Sequence, residues 1–231
     1  MFGKPLISSK VLFTFIFVFV SSIIFSQETE KINGSYWGNT EGAKKTFVVL
    51  NLKEKLAKHK KIAILPIKSY IRYKKTPKDY NAELNKEKEN KMSFELQTSM
   101  YNYLIVNKNN YSVQIQNIDS TNFILKDNKM IDSIIQYNPQ DVAKVLGVDA
   151  VIFSNYTYTK LGSEFGAIVS ELLIGGGKVA SGQLNMDIIN GFDGEVLWGF
   201  GKTMNQDNLS SPEAIIRRMM SKVERNFPYL K

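Results

Sequence analysis

Few side chains in this chain of 231 residues have the chemistry of a catalyst, and they are scattered. The single histidine, His59, stands among Lys58, Lys60 and Lys61, without the carboxylate or second ligand that a catalytic triad or a zinc site needs. The sequence contains no cysteine, which excludes thiolate nucleophiles, thiolate metal sites and disulfides. We therefore expect no catalytic role for His59, and no metal or cofactor.

Three carboxylates near one turn, Asp187, Asp193 and Glu195, are the remaining candidates for hydrolysis or cation binding. Asp193 stands in the run Asn190-Gly-Phe-Asp-Gly194, where turn formation alone favours an aspartate. Glycoside cleavage needs two carboxyl groups about 5–10 Å apart in one cleft, whereas alternation along a hairpin directs these three outward or into the turn. A hydrolase or sugar-binding enzyme built on them is a rival hypothesis, and a protein without catalytic residues is favoured.

The elements that hold these carboxylates form a predicted β-hairpin. The runs Leu184–Ile188 and Val196–Phe200 place large apolar residues at alternate positions on either side of the turn. Two such runs across an Asn/Gly/Asp turn are typical of a hairpin with one buried face. Trp198 is accordingly predicted to lie in the core.

The rest of the chain predicts a single α/β (α+β) domain in which helices cover one mixed sheet. The continuous apolar runs Ile62–Leu65 and Ala150–Phe153 are expected at the centre, since such strands must be covered on both faces. Pro66 is expected to end the regular pairing of the first run, and Asp149 to cap or anchor the backbone where the second begins. The predicted strands are 61–67, 111–116, 149–158, 180–190 and 195–204, and the predicted helices are 92–106, 120–126, 139–146 and 211–225.

The first 26 residues have the layout of a secretory signal peptide. Lys4 and Lys10 precede the apolar run Val11–Val20, and small serines lead to the polar residues that begin at Gln27. An uncleaved membrane anchor is the alternative, and both interpretations place the remaining chain outside the cytoplasm. The predicted organisation is a signal peptide over 1–26, an extended lead-in over 27–59 and one domain over 60–231.

The positive charge of the chain is concentrated in one segment, Lys44–Lys91. This segment holds fifteen Lys and Arg against five Asp and Glu, whereas residues 92–231 hold twelve against fourteen. A lysine-rich run is usually a solvated loop, and that is the favoured interpretation. The alternative is contact with anionic lipid head groups or an anionic wall polymer, because an exported protein does not meet nucleic acid.

Three stretches together resemble a known family. They are Ile64-Leu-Pro66 at the end of a buried strand, Leu146-Gly-Val-Asp-Ala-Val-Ile152, and Gly194-Glu-Val-Leu-Trp198 in the hairpin. Over residues 60–227 the chain resembles the periplasmic α/β domain shared by the amino-terminal part of TolB, the curli-secretion protein CsgG and the LpoB-like lipoprotein activators of penicillin-binding proteins. The resemblance implies a TolB-N/anticodon-binding-like fold and a non-enzymatic envelope component that binds partners.

Two features depart from this family. The cysteine that receives a lipid in many of its members is missing, so a conventional lipoprotein is not expected. The pair of long alternating insertions that a secretion pore needs is also missing. A periplasmic or outer-membrane-associated location is expected.

The leading functional hypothesis is a protein-binding or assembly module of the cell envelope, with its oligomeric state undecided. Two contact surfaces are candidates, the lysine-rich loop 71–91 and the apolar segment 165–174. The second forms either an exposed patch or a buried contact with the sheet. The candidate interaction residues are Arg72, Lys74, Lys75 and Lys78 in the loop, and Phe165, Ile168, Val169, Leu172 and Leu173 in the apolar segment.

Overall fold

Seven strands form one mixed sheet. The structure, a computed structural model, describes residues 44–160, 180–206, 212–223 and 227–231. The strands lie in the order β1-β7-β6-β5-β2-β4, and β3 also pairs with β5. They are β1 (Lys44–Val48), β2 (Lys61–Ile64), β3 (Lys68–Tyr73), β4 (Gln114–Ile115), β5 (Ala150–Lys160), β6 (Ala180–Asn190) and β7 (Val196–Gln206).

Helices pack on both faces of this sheet, which confirms the predicted α/β fold class. None of the helices in the described ranges is long and apolar enough to cross a membrane. The helices are α1 (Leu52–Leu56), α2 (Ala82–Val106), α3 (Ile118–Asp127), α4 (Pro139–Leu146) and α5 (Pro212–Val223), with 3-10 turns at Lys108–Asn110 and Ile131–Gln136.

The centre of the sheet is the parallel pair β2 and β5. Ile62 pairs with Ala150 and Ile64 with Ile152, and the side chains of Ile64 and Ile152 are fully buried, as predicted. On the first face, β-strand residues such as Met186 pack with α2 and α5. On the second face, Val151, Ile189 and their neighbours pack with α3 and α4. The two faces therefore have separate cores.

Pro66 interrupts the strand beside β5, as predicted, but the strand then resumes. Ile64 pairs with Ile152 and Lys68 with Asn155, so four residues on one strand advance alongside three on β5. The extra residue forms a bulge where proline cannot donate a hydrogen bond. β2 and β3 thus lie end to end along the same neighbour.

The predicted polar connection over 71–91 is wrong, because β3 extends to Tyr73 and α2 begins at Ala82. Asn81 caps the helix by accepting the N–H of Leu84 at 3.0 Å. The sequence predicts only the part of this helix over 92–106, because that part has apolar residues at helical spacing. Almost all of the first ten residues of α2 are exposed and lack this periodicity. Glu89 accepts the N–H of Ile71 at 2.9 Å, so the start of α2 covers the edge of β3.

Two other segments differ from the predicted elements. The strand predicted over 111–116 is only Gln114–Ile115, since β4 pairs with just Lys61 and Ile62, and Tyr111 instead bridges to Leu230. Residues 44–59, which fall in the predicted lead-in, contain β1 and α1, and β1 pairs antiparallel with β7. The predicted signal peptide 1–26 and the apolar segment 165–174 lie outside the described residues.

Candidate functional site

Two of the three candidate carboxylates serve the β6–β7 turn. Asp193 accepts hydrogen bonds from the Asn190 side-chain amide at 2.8 Å and from the Glu195 N–H at 2.9 Å. Glu195 forms a salt bridge with Lys55 of α1. Asp193 therefore has the turn role that its sequence context indicated, and Glu195 joins the hairpin to the first helix.

The third carboxylate, Asp187, lies apart from the other two. It stands on the second face of β6, opposite Phe153 of β5 and Gly199 of β7, and three residues, about 10 Å, before the turn. Burial raises its pKa to about 6, and no hydrogen bond or ion pair from the described residues reaches its carboxylate. The three groups therefore do not face one cleft, and the structure does not support a glycosidase pair.

His59 is not the partnerless loop residue that the sequence indicated. The ring is buried, with Nδ1 at 2.6 Å from the Tyr229 hydroxyl and Nε2 at 3.3 Å from Asn190 Oδ1. Because the Asn190 amide nitrogen donates to Asp193, its oxygen must accept, so Nε2 carries the proton and Nδ1 accepts from Tyr229. Burial lowers the pKa of His59. This network links the start of β2 to the hairpin and to the C-terminal residues.

Asp149 anchors the same end of the sheet, as predicted. Its Oδ2 accepts the backbone N–H groups of Lys60 at 2.7 Å and Lys61 at 2.9 Å. Burial opposes ionisation, but these donors, with His59 and the charge of Lys60, lower the pKa of Asp149 overall. The carboxylate thereby ties the first residues of β2 to those of β5.

A groove lies where the parallel strands β3 and β5 end, next to the start of α2. Its volume is about 570 Å³. We call this cavity the basic groove, because four lysines line it against a single aspartate. The lining residues are Tyr73, Lys75, Thr76, Pro77, Lys78, Asp79, Tyr80, Asn81, Leu84, Asn85, Lys88 and Lys160.

Two tyrosines form the apolar wall of the basic groove. The rings of Tyr73 and Tyr80 meet edge to face at 5.7 Å, and Lys160 Nζ lies 5.7 Å from the centre of the Tyr73 ring. The Tyr73 hydroxyl donates to Asn85 Oδ1 at 3.0 Å, and the Asn85 amide donates to Glu89 at 3.1 Å. These bonds hold the wall in place against α2 before any ligand arrives.

The structure brings only part of the predicted contact set together. Lys75 and Lys78 line the basic groove, whereas Arg72 points to the second face of the sheet and Lys74 lies outside the lining. The five apolar candidates of segment 165–174 fall outside the described residues. Sequence reasoning missed Lys88 and Lys160, because they come from a helix and a strand whose meeting is set by the tertiary fold.

The lysines of segment Lys44–Lys91 do not form one patch. β1, which carries Lys45, is separated from β3 by β7, β6 and β5. Four strand spacings place these two strands about 19 Å apart. The positive charge of this segment is therefore divided between distant strands of the sheet, and only some of its lysines line the basic groove.

The described residues include no group of three His, Asp or Glu side chains that could hold a metal ion. The hairpin carboxylate Asp187 is separated from Asp193 and Glu195, and both ring nitrogens of His59 already have hydrogen-bond partners, Tyr229 and Asn190. What the geometry does provide is a cavity with a preformed aromatic wall and an excess of positive charge.

No protein-family model matches the chain, and no curated protein matches it significantly. Solved structures similar to this one include the lipoprotein GNA1162 from Neisseria meningitidis, with 14% identity, 72% of this chain and 95% of that chain covered, and a TM-score of 0.43. The PelC dodecamer from Paraburkholderia phytofirmans has 12% identity, coverage of 82% and 99%, and a TM-score of 0.43. The LpoB C-terminal domain from Salmonella enterica has 12% identity, coverage of 67% and 93%, and a TM-score of 0.36. All three TM-scores lie below 0.5, and kinship with TolB and CsgG stays a prediction.

Proposed function

We propose that this protein is a non-enzymatic, exported module of the cell envelope that binds an acidic segment of a partner protein in the basic groove. The observation that carries the proposal is the composition of the groove, with four lysines and one aspartate around aromatic and apolar side chains. Crevices at the carboxyl ends of parallel strands are common ligand sites in α/β sheets. Export through residues 1–26 belongs to the same proposal, and the proposed domain includes β1, because β1 pairs with β7.

The size and charge of the groove favour a short peptide segment. A volume of about 570 Å³ is that of an ordinary small-ligand site, so it accommodates a few side chains. Lys75, Lys78 and Lys88 are exposed and provide long-range attraction for carboxylates. Acidic residues flanking an apolar or aromatic side chain would complement both the lysines and the tyrosine wall.

The rival ligand is an anionic wall polymer or lipid surface. It has the charge that the lysines attract, but a polymer of phosphate and sugar offers little apolar surface to Tyr80, Pro77 and Leu84. The wall therefore separates the two hypotheses. A peptide gains from burial against the tyrosines, whereas a polyanion responds to charge alone and loses affinity steeply with salt.

The test measures binding of a fluorescein-labelled octapeptide of glutamates with a central phenylalanine to the purified domain. Wild-type protein is expected to bind it, and Lys75→Glu with Lys78→Glu is expected to weaken binding by about tenfold. Tyr80→Ser is expected to weaken binding of the peptide and to leave binding of a glycerol-phosphate polymer unchanged. The matched control replaces Lys126 and Lys144, exposed lysines on α3 and α4, with glutamate.

The controls decide between specific and general attraction. If the Lys75 and Lys78 double variant and the Lys126 and Lys144 double variant lose equal peptide affinity, then net charge, and not the groove, governs binding. Binding of polymer or anionic vesicles that is tighter than that of the peptide, with no effect of Tyr80→Ser, would establish the rival ligand. Failure of the wild type to bind the peptide would reject the proposal.

A further inference from the structure

The turn between β6 and β7 carries a phenylalanine that almost nothing covers. Phe192 is 90% exposed, more than any other large apolar side chain of the described residues. A single exposed apolar residue is ordinary on a protein surface and is not by itself a binding site. We call residues 190–194 the hairpin tip, and the contacts of this turn decide whether the ring has a use.

The backbone of the hairpin tip is fixed, so the exposed ring is not the result of a loose loop. Gly191 donates to the Asp149 carbonyl at 2.8 Å, and the Phe192 carbonyl accepts from the Gln140 side chain at 3.2 Å. Gly191 also packs so closely against α4 that a Cβ there would lie 2.7 Å from Ala143 Cβ. A ring held on a fixed backbone loses little conformational entropy when it binds.

The residue after this ring provides a negative charge. Asp193 is exposed, and its Oδ1 accepts both of its hydrogen bonds within the turn, while no described residue bonds to its Oδ2. Glu195 is neutralised by Lys55. Lys58 is exposed and lines a cavity of about 520 Å³ beside the tip. The hairpin tip therefore presents an aromatic ring with an accessible carboxylate oxygen on the next residue and one lysine nearby.

The basic groove has the complementary chemistry. Its lysines attract carboxylates, and its wall of Tyr73 and Tyr80 offers apolar surface to an aromatic side chain. Aromatic rings pack favourably edge to face, as these two tyrosines already do. Asp79, the one aspartate in the lining, has the opposite charge to Lys58 of the tip. The two surfaces therefore match in charge and in apolar character.

The hairpin tip cannot reach the basic groove of its own molecule. Asn190 pairs with Ala150 at the first residue of β5, whereas Lys160 lines the groove at the last. β5 has 11 residues, so these positions are about 33 Å apart. A contact between the two surfaces therefore requires a second copy of the chain. Such a contact is heterologous, because the tip of one copy meets the groove of the next.

We propose that the hairpin tip of one copy docks in the basic groove of a second copy, with Phe192 against the tyrosines and Asp193 beside the lysines. This inference rests on the proposed function, since it names a second copy as the partner of the same groove. Because each docked copy still has an unused tip or groove, the contact produces an open row of copies or a closed ring. One ring and one carboxylate make a small contact, so a dissociation constant of about 0.1–1 mM is expected.

The test uses two variants that each keep one of the two surfaces. Phe192→Ser removes the ring and keeps the groove, whereas Lys75→Glu with Lys78→Glu reverses the charge of the groove and keeps the tip. All three side chains are exposed, so both proteins should fold. Isotope-labelled Phe192→Ser is titrated with the unlabelled double variant up to about 1 mM, while NMR follows the backbone amides of Tyr73 and Lys88. Both amides are expected to shift.

Sedimentation velocity gives a second measurement on unlabelled protein. The wild type is expected to exceed the mass of a dimer as its concentration rises, because a heterologous contact repeats. Each variant alone should be monomeric. Their equal mixture should stop at a dimer, since it offers one working tip for each working groove.

Phe123→Ser, at an exposed phenylalanine of α3, is the matched control and should assemble as the wild type does. Asp193→Asn keeps an oxygen for the hydrogen bonds of the turn and should weaken association by about threefold. The proposal is overturned if the labelled groove does not respond up to about 1 mM, if Phe192→Ser assembles like the wild type, or if the mixture grows beyond a dimer. A groove that binds the acidic octapeptide but not the tip would reject this inference alone, whereas a groove that binds neither would reject the proposed function as well.

Discussion

Replacing Asp187 with asparagine should stabilise this protein at neutral pH. The carboxylate has no donor among the described residues, and burial raises its pKa from 3.8 to about 6. This rise in pKa corresponds to about 3 kcal/mol by which the folded state disfavours the ionised form. Asparagine has nearly the same shape and no charge, so Asp187→Asn removes that cost and keeps the packing beside Phe153.

The sign of the pH dependence follows from proton binding. Between pH 3.8 and about 6 the folded state holds a proton on Asp187 that the unfolded state has lost. The contribution of Asp187 to the free energy of unfolding of the wild type must therefore fall as pH rises through this window. The advantage of Asp187→Asn is largest above about pH 6.5 and disappears near pH 3.5, where both states are protonated.

The assay is urea unfolding of both proteins at pH 7.5 and pH 4, with thermal melts alongside. At pH 7.5 an increase of up to about 3 kcal/mol predicts a rise in Tm of roughly 6–12 °C for a domain of this size. Asp132→Asn serves as the control, since that aspartate is exposed and should change stability by less than about 0.5 kcal/mol. Equal stability of wild type and Asp187→Asn at pH 7.5 would refute the reasoning, as would a gain that does not depend on pH.

Two further predictions concern the other titrating group and the N-terminus. Burial lowers the pKa of His59, so this residue binds more protons in the unfolded chain than in the folded one, and its contribution to stability falls as pH drops below 6.5. In an Asp187→Asn background, His59→Gln should therefore reduce the change in urea midpoint between pH 7.5 and pH 5. An unchanged pH dependence of the midpoint would contradict the hydrogen-bond network assigned to His59. If residues 1–26 are a cleaved signal peptide, the mature protein begins at Gln27, which intact mass of the exported form measures directly, and a membrane-bound product that retains Met1 would show an anchor instead.

The central fold could be predicted because its signals are local. The apolar runs around Ile64 and Ile152 require burial on both sides, and both residues are fully buried. The helix Pro139–Leu146 was delimited by its caps, since the Asn138 side chain accepts the N–H of Gln140 at 3.1 Å and Gly147 adopts φ 64°. Sequence signals that depend on a few adjacent residues, such as an apolar run or a helix cap, can be recognised without knowing the tertiary contacts.

The missing parts depend on contacts between distant residues. The partners of His59 are Asn190 and Tyr229, which lie 131 and 170 residues away in the sequence. A lone histidine among lysines gives no indication of either. Likewise β3 reads as a polar loop, because Lys68, Arg72 and the residues after Tyr73 are hydrophilic. This segment forms a strand because it pairs in parallel with the second half of β5.

The tyrosine wall of the basic groove favours a protein partner over a simple polyanion. No salt bridge of the described residues involves Lys75, Lys78 or Lys88, so the groove holds charge that an ion pair has not neutralised. A wall polymer or an anionic membrane would satisfy these lysines but would gain little from contact with the rings of Tyr73 and Tyr80. A protein partner that carries an apolar side chain beside its acidic residues complements both the lysines and the rings. Only such a partner should lose affinity in both Tyr80→Ser and the Lys75 and Lys78 double variant.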